Sequence, residues 1–292
     1  QFPNETPSVV IGYDCRHNSK ELAQTVADIF SANDIKVYLF TDLRATPEVS
    51  FAVRHLNCHC GIVLTASHNP PEYNGYKVYW QDGAQIVPPQ DNGIITAINN
   101  TAYEDILFDA KPAHITPIDR VIDEAFQDAS VAVGRIGNGN REKVKVVFTP
   151  LHGTSVTAIP QVLKKAGYSH VTVIEEQAKP DGDFPTVKSP NPEEPEALQM
   201  AMEKANAIGA DIVIGTDPDA DRLGIAVRNE NNELELLNGN QAMVAMTDFI
   251  LSKGKYTVEE NPFVGSTVVS TPMMSVLANH YGVECKLGLT GF

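Results

Sequence analysis

The chain has 292 residues, of which 42% are apolar and 20% are charged, a composition typical of a globular protein with two or three domains. Disordered and fibrous proteins are excluded by this composition. Because 37 acidic residues stand against 22 lysines and arginines, the formal net charge is −15, and we expect a chain that binds neither nucleic acid nor anionic membranes.

Strands and helices alternate in the first part of the chain. The predicted strands are residues 8–13, 35–40 and 61–64, and the predicted helices begin at Ser19 and Thr46. Ser19 is a suitable N-cap for a helix whose apolar face includes Leu22 and Phe30. Pro47 suits the first turn of the second helix. Such alternation predicts a largely parallel sheet covered by helices, with ligand sites at the carboxyl ends of the strands.

A polar turn, residues 65–70 (TASHNP), directly follows the third predicted strand. Ser67 in this turn is placed to accept a phosphoryl group, because the backbone N–H groups of such turns can bind phosphate. Serine, asparagine and proline are also ordinary turn residues. The turn therefore points to catalysis only together with a second motif.

An antiparallel strand is expected after the serine turn. Asn74-Gly75 and Asp82-Gly83 are tight-turn signals on either side of the alternating residues 76–80. Lys77 lies just beyond the first of these turns, where a hairpin can fold it over Ser67. A solvated strand lysine is the alternative interpretation.

The rest of the chain divides by composition into two further α/β units. Residues 91–133 are predicted to be helical, and the linker-like composition of residues 134–141 marks a boundary. The later predicted strands are residues 144–148, 170–174, 211–214, 223–227, 267–270 and 285–289, with helices ending at Gly167, Ile208, Leu251 and Tyr281. We expect repeated three-layer α/β/α domains with mostly parallel, mixed sheets, at residues 1–135, at residues 142–236 and, as the beginning of a third domain, at residues 237–292.

The four cysteines are too few and too irregularly spaced for a disulfide framework, so reduced thiols and a cytoplasmic location are expected. Cys58-His59-Cys60 has no second ligand pair to complete a tetrahedral metal site, and we interpret it as a segment with buried thiols. Residues 1–5 have no signal-peptide character, which agrees with a cytoplasmic location.

Three aspartates occupy alternate positions between two apolar strands, at Asp217, Asp219 and Asp221. Carboxylates held this close repel one another, which favours a hard cation such as Mg²⁺ or Ca²⁺ between them. A calcium-binding EF-hand would need glycine in place of Arg222, glutamate in place of Arg228, and flanking helices. An exposed acidic loop without a metal is the remaining alternative, which the apolar strands on both sides disfavour.

A charge count connects the two motifs. A phosphate of about −2 on Ser67, three aspartates and one Mg²⁺ leave roughly −3, so the protein itself has to supply cations. Arg16, Lys77 and Arg222 are the candidates. Arginine suits bidentate contact with phosphate, and lysine suits proton transfer to and from a sugar hydroxyl.

These segments resemble the α-D-phosphohexomutase family, the phosphoglucomutases and phosphomannomutases. Residues 65–70 resemble its phosphoserine loop, and residues 217–222 resemble its magnesium loop. Residues 12–19 are similar to its substrate-side turn near the N-terminus, and residues 74–77 to the segment that holds its proposed acid/base lysine. The run 75–85 looks most like the phosphoglucomutase/phosphopentomutase branch.

The resemblance implies a phosphoryl relay. Phospho-Ser67 would donate to a free hydroxyl of a hexose 1-phosphate, and Ser67 would take back the other phosphate of the sugar bisphosphate, glucose 1,6-bisphosphate or a relative of it. The implied Mg²⁺ ligands are Ser67, Asp217, Asp219 and Asp221; the implied catalytic residues are Ser67, Lys77, His68 and Arg16; and the implied phosphate-binding residues are Arg16, Ser67, His68, Asn69, Lys77 and Arg222.

Members of this family have four domains. On the resemblance, this chain is expected to lack the opening segment of the first domain, the sugar-specificity loop of the third and the whole fourth, and to be inactive alone. The alternatives that remain open are a phosphopentomutase, a magnesium-dependent sugar phosphatase, and a non-catalytic module that binds magnesium or a sugar phosphate. The identity of the sugar and the oligomeric state are also open.

Overall fold

The computed structural model describes residues 5–134, 139–253 and 261–290. The boundary predicted at residue 135 and part of the linker predicted at 134–141 lie outside the described residues. The strands in the described ranges are Ser8–Tyr13 (β1), Lys36–Phe40 (β2), Cys60–Leu64 (β3), Tyr76–Trp80 (β4), Ile115–Ile118 (β5), Lys145–Thr149 (β6), His170–Val173 (β7), Ile212–Thr216 (β8), Leu223–Arg228 (β9), Leu234–Leu237 (β10), Phe263–Thr267 (β11) and Glu284–Gly288 (β12).

The helices connect and cover these strands. The α-helices in the described ranges are Ser19–Ala32 (α1), Thr46–His55 (α2), Gln90–Asn100 (α3), Arg120–Val133 (α4), Ile159–Lys165 (α5), Glu175–Ala178 (α6), Pro195–Ile208 (α7), Gly239–Lys253 (α8) and Met273–His280 (α9). Within the part of the chain that the structure describes, no helix is both long and apolar enough to cross a membrane.

The first sheet has the strand order β4-β3-β1-β2-β5. Its strands are parallel except β4, which pairs antiparallel with the edge of β3. Every residue of the central strand β1 is buried. Val9 and Ile11 pack against alanines of α1, whereas Val10 packs against Val49 and Val53 of α2 on the other face. Helices therefore cover both faces, and each buried aliphatic side chain contributes about 1.5–3 kcal/mol to stability.

The second sheet has the order β10-β9-β8-β6-β7, with β6, β7 and β8 parallel and β9 and β10 antiparallel additions. Ala201 and Ala205 of α7 let that helix approach the sheet closely, and they pack in one cluster with Val147 and Val213. A parallel pair, β11 and β12, forms the third sheet. The predicted fold class, repeated α/β domains with mostly parallel mixed sheets, is confirmed.

Two predicted elements differ from the structure, and one strand was not predicted. Residues 115–118 form β5 rather than part of a helix, because this segment pairs with the edge of β2. The strand predicted at 267–270 ends at Thr267 and begins earlier, at Phe263. β10 was not predicted, because the sequence of this short segment gives no clear strand signal. Its pairing with β9 makes it a strand.

The start of α1 also differs. Asn18, in the left-handed conformation with φ 62°, is the N-cap, and Ser19 instead donates a hydrogen bond from its hydroxyl to Asp14. Leu22 of the predicted apolar face is 41% exposed, whereas Ala23 is fully buried. The helix is therefore seated by small residues, and its first turn is connected to the network below the serine turn.

Candidate active site

The serine turn leaves the carboxyl end of β3 in a strained conformation. Ser67 has φ 53°, in the left-handed region that costs a non-glycine residue about 1–3 kcal/mol and that is concentrated at functional sites. Its N–H donates to the Thr65 hydroxyl at 2.9 Å, and that hydroxyl donates to Asp14 at 2.6 Å. These buried hydrogen bonds fix the Ser67 backbone while its side chain stays half-buried.

Arg16 holds the same turn from below. Its guanidinium is buried and donates to the backbone carbonyls of Ser67, Asn69, Pro70 and Tyr73. An ion pair between Arg16 Nε and Asp14, at 3.3 Å, joins the guanidinium to the hydrogen-bond network below the turn. In this structure Arg16 therefore holds the serine loop, and its predicted contact with phosphate stays a prediction.

The serine turn meets the triple-aspartate loop. The Ser67 hydroxyl donates to Asp217 Oδ2 at 2.7 Å, although the two residues lie on different sheets. His68 Nδ1 lies 3.3 Å from the same hydroxyl oxygen. Burial and the neighbouring Asp219 raise the pKa of Asp217 to about 8. The predicted proximity of the serine to the aspartates is observed.

The three aspartates fit a hard cation. Asp217, Asp219 and Asp221 can each offer an oxygen, and these oxygens all lie within 4.8 Å of one another. Asp217 and Asp219 are fully buried, and Oδ1 of Asp219 has no hydrogen-bond partner among the described residues. An unpartnered buried carboxylate oxygen is costly, and a divalent cation removes that cost. The donor set, all oxygen and strongly anionic, is the one that Mg²⁺ prefers.

Lys77 reaches the aspartates from β4. Pairing of β4 with β3 sets Lys77 opposite Val63, near the end of the strand from which the serine turn leaves. Its ammonium donates to Asp219 Oδ2 at 2.7 Å and to Asp221 Oδ2 at 2.9 Å. Burial acts to lower the pKa of Lys77, but the two carboxylates outweigh burial and raise it. Lys77 is therefore held in its charged form beside Asp219 and Asp221.

The remaining predicted residues lie at the rim. The Arg222 N–H donates to Asp217 at 3.0 Å, while its exposed guanidinium makes no hydrogen bond or ion pair with the described residues. Burial, and then the charge of Arg222, lower the pKa of His68, which favours the neutral imidazole. Asn69 is exposed and contributes its carbonyl to the grip of Arg16. The cleft thus combines Ser67, His68, Lys77 and the aspartates, with Arg222 beside them.

Two contacts that hold this cleft together were not predicted. Thr46, the first residue of α2, donates to Asp219 from both its N–H and its hydroxyl, each at 2.8 Å. Strand topology could have indicated it, because Thr46 follows β2 at the same sheet edge as Ser67. No sequence signal specifies that it bonds a residue 173 positions away.

The second contact is made by the loop at residues 181–184. A Cβ on Gly182 would lie 2.9 Å from the carbonyl oxygen of Cys15, so this loop approaches the first unit as closely as glycine allows. The Phe184 ring lies 5.1 Å from the Arg16 guanidinium carbon, and Asp183 pairs with His17 at 2.7 Å. The dense Asp, Gly and Pro of this segment predict a loop but give no indication of what the loop contacts.

Two family models match the chain. "Phosphoglucomutase/phosphomannomutase, alpha/beta/alpha domain I" matches residues 1–105, and "Phosphoglucomutase/phosphomannomutase, alpha/beta/alpha domain II" matches residues 103–231. Among curated relatives, the phosphoglucomutases of Staphylococcus epidermidis and Staphylococcus aureus are each 38% identical to this chain over 98% of its length. The chain spans about half the length of these relatives, 53% and 52%.

Solved structures share the fold. A phosphoglucomutase/phosphomannomutase family protein from Burkholderia thailandensis has a TM-score of 0.76 at 24% identity, covering 98% of this chain and 58% of that one. The phosphoglucomutase pp63/parafusin from Paramecium has a TM-score of 0.71 at 18% identity, covering 98% and 56%. With both family models matched and the serine and aspartate loops in contact, the chain belongs to the phosphoglucomutase/phosphomannomutase family, the α-D-phosphohexomutases.

Proposed function

We propose that this chain supplies the phosphoryl-carrying half of a phosphohexomutase, an enzyme that interconverts sugar 1-phosphates and sugar 6-phosphates. The observation that carries the proposal is the 2.7 Å contact between the Ser67 hydroxyl and Asp217. It unites a hydroxyl nucleophile with a cluster of oxygen ligands suited to Mg²⁺. The 38% identity to phosphoglucomutases supports a phosphoglucomutase activity of the whole protein.

In the proposed reaction, Ser67 carries a phosphoryl group between turnovers. The bond from phosphorus to Ser67 Oγ breaks as a bond forms to the free hydroxyl oxygen of the sugar phosphate, and in the net reaction the hydroxyl proton passes to Ser67 Oγ. The resulting sugar bisphosphate, such as glucose 1,6-bisphosphate, then returns its other phosphoryl group to Ser67. Ser67 is held for this exchange by its own left-handed backbone and by the Arg16 grip on the loop.

Magnesium, held by the three aspartates and the Ser67 phosphate, would supply positive charge for the oxygens of the transferring group. Lys77, which its contacts with Asp219 and Asp221 keep charged, gives a proton to the departing oxygen and regains one before the next transfer. Neutral His68, 3.3 Å from Ser67 Oγ, is the second proton carrier. Arg222 and Asn69 face the incoming phosphate at the rim.

The domain limits 1–135, 142–236 and 237–292 are part of this proposal, as is a cytoplasmic location. The proposed partners are small sugar phosphates rather than nucleic acid or membrane, since the net charge of −15 disfavours polyanions. Binding of the distal phosphate of the substrate is proposed for the whole protein, and the 292-residue chain alone is proposed to lack turnover.

Intact-mass spectrometry of the protein before and after incubation with glucose 1,6-bisphosphate and Mg²⁺ tests this function. We expect a mass gain of one phosphoryl group, which Ser67→Ala abolishes and Ser50→Ala, at another half-buried serine, leaves in place. Continuous release of inorganic phosphate would instead indicate a phosphatase. Binding with no covalent phosphate would indicate a non-catalytic module.

A further inference from the structure

Thr46 makes two hydrogen bonds to the triple-aspartate loop, and both are to Asp219. Its N–H donates to the Asp219 carbonyl and its hydroxyl donates to Asp219 Oδ2, both at 2.8 Å. Thr46 is buried, at 4% exposure, and it precedes Pro47 at the start of α2. The N-cap of α2 is Ala45, which has no side-chain oxygen, and the helix has no side-chain cap. The Thr46 hydroxyl is directed to Asp219 instead.

The hydroxyl leaves the two oxygens of Asp219 unequal. Oδ2 accepts hydrogen bonds from Thr46 and from the Lys77 ammonium. Oδ1 is buried and has no hydrogen-bond partner among the described residues. A carboxylate whose one oxygen is fixed by two donors cannot rotate freely, so its other oxygen keeps one direction. Asp219 belongs to the cluster that fits a divalent cation, and Oδ1 is its oxygen without a hydrogen-bond partner among the described residues.

The contact also crosses between the two sheets. Thr46 is the first residue of α2, which packs on the first sheet, whereas Asp219 lies in the loop after β8 of the second sheet. The amino-terminal end of a helix carries partial positive charge, which favours the anionic loop beside it. Ser67 and Lys77 belong to the turn after β3 and to β4, in the sheet on which α2 packs. Thr46 therefore fixes Asp219 relative to Ser67 and Lys77.

We propose that Thr46 is a positioning residue for the divalent-cation site: it orients Asp219 so that Oδ1 is presented to the cation, and it thereby couples cation affinity to the docking of the two sheets. The inference rests on the proposed function, because it takes the aspartate cluster as the Mg²⁺ site. Thr46 itself touches neither the cation nor the substrate in this role.

Calorimetric titration of the 292-residue chain with Mg²⁺ alone tests the proposal. Thr46→Val keeps the shape and the backbone N–H but removes the hydroxyl, and we expect its Kd for Mg²⁺ to rise about tenfold or more, the usual effect of losing a partner of a metal ligand. Thr46→Ser restores the hydroxyl and should return the Kd to within about threefold of the parent. Thr46→Ala serves where the valine variant does not fold.

Thr149→Val is the matched control. Thr149 is also fully buried, and its hydroxyl bonds Gln177 rather than the metal loop, so this variant loses a buried hydroxyl without altering Asp219. Unchanged affinity in Thr46→Val, or an equal loss in Thr149→Val, would overturn the proposal. If the parent chain itself binds no Mg²⁺, the proposed metal site fails, and that result is distinguishable from a parent that binds but is indifferent to Thr46.

Discussion

Glu48 is a buried carboxyl group that the fold keeps in its neutral form, and the size of this effect can be measured from the pH dependence of stability. This residue of α2 is 1% exposed, and its Oε1 has no hydrogen-bond partner among the described residues. Burial first, and then the neighbouring Asp123, raise the pKa of Glu48 from 4.5 to about 8. Asp123 takes the charge of the pair, because Arg44 donates to both of its oxygens, at 2.8 and 3.0 Å.

The sign of the pH effect follows from the raised pKa. Between pH 4.5 and about 8 the unfolded chain has released the Glu48 proton while the folded chain retains it, so the contribution of Glu48 to stability falls as pH rises. The slope is about 1.4 kcal/mol per pH unit, and the whole window corresponds to about 5 kcal/mol as an upper limit. Asp123, whose pKa is lowered, acts in a lower window, below its ordinary value of 3.8.

Glu48→Gln removes the ionisation and keeps the shape, and its amide can donate to Asp123. We expect the variant and the parent to have free energies of unfolding within about 1 kcal/mol at pH 5, and the variant to be more stable by several kcal/mol at pH 9. Urea unfolding at pH 5, 7 and 9 measures the difference. Taking the difference cancels other titrating groups such as Asp217.

The control variant is Glu124→Gln, which removes a carboxyl from the exposed side of α4, where its ion pair is with Arg120. It shows whether the loss of any acidic side chain alters the pH slope. A Glu48→Gln effect that is the same at pH 5 and pH 9, or a variant that is less stable at pH 9, would refute the assignment of a neutral buried Glu48.

Three further predictions concern the site and its assembly. Lys77→Met should slow the phosphorylation of Ser67 by glucose 1,6-bisphosphate about 10²–10⁴-fold, as measured by timed mass spectrometry. Lys111→Met also removes a lysine–aspartate pair and should leave the rate unchanged. A parental rate in Lys77→Met would make Lys77 an ordinary strand lysine. Gly182→Ala should lower the free energy of unfolding by about 1–3 kcal/mol, because its Cβ would lie 2.9 Å from a backbone carbonyl, while Gly93→Ala, with open space around it, should be neutral or stabilising in urea unfolding. The chain alone should show no measurable conversion of glucose 1-phosphate in an assay coupled to glucose 6-phosphate dehydrogenase with glucose 1,6-bisphosphate present. The reason is that binding of the distal phosphate, which we propose for the whole protein, supplies the energy that aligns the substrate. Turnover of about 1–10³ s⁻¹ would contradict this prediction.

Local patterns in the sequence were sufficient for most of the strands and for the meeting of the two motifs. The carboxyl ends of parallel strands share one sheet edge, so Ser67 after β3 could be assigned to a ligand-binding edge. Aspartates at alternate positions favour a cation between them, and the charge count connected this loop to the serine turn. β5 was missed because four residues between helical segments carry too weak a period to outweigh their neighbours, and only the edge of β2 makes them a strand.

The contacts of Arg16 and Thr46 could not be predicted, for a different physical reason. An arginine at the edge of a sheet beside a phosphate loop is a good candidate for a phosphate ligand on charge alone. The sequence does not show that four carbonyls of the serine turn point inward at Arg16 and use its donors. Thr46 was missed for a related reason, since its partner is set by how two separate sheets dock.

The division of the site between two sheets gives the cation a structural role in addition to its proposed chemical one. Ser67, Lys77 and Thr46 come from the first sheet, and the aspartates come from the second. Repulsion among the three carboxylates, which Lys77 relieves in part, works against close docking, and a bound cation would relieve it further. A cation that binds only the docked arrangement stabilises that arrangement by the free energy of its own binding. Because such coupling is reciprocal, a substitution that loosens the docking of the two sheets should also weaken the binding of the cation.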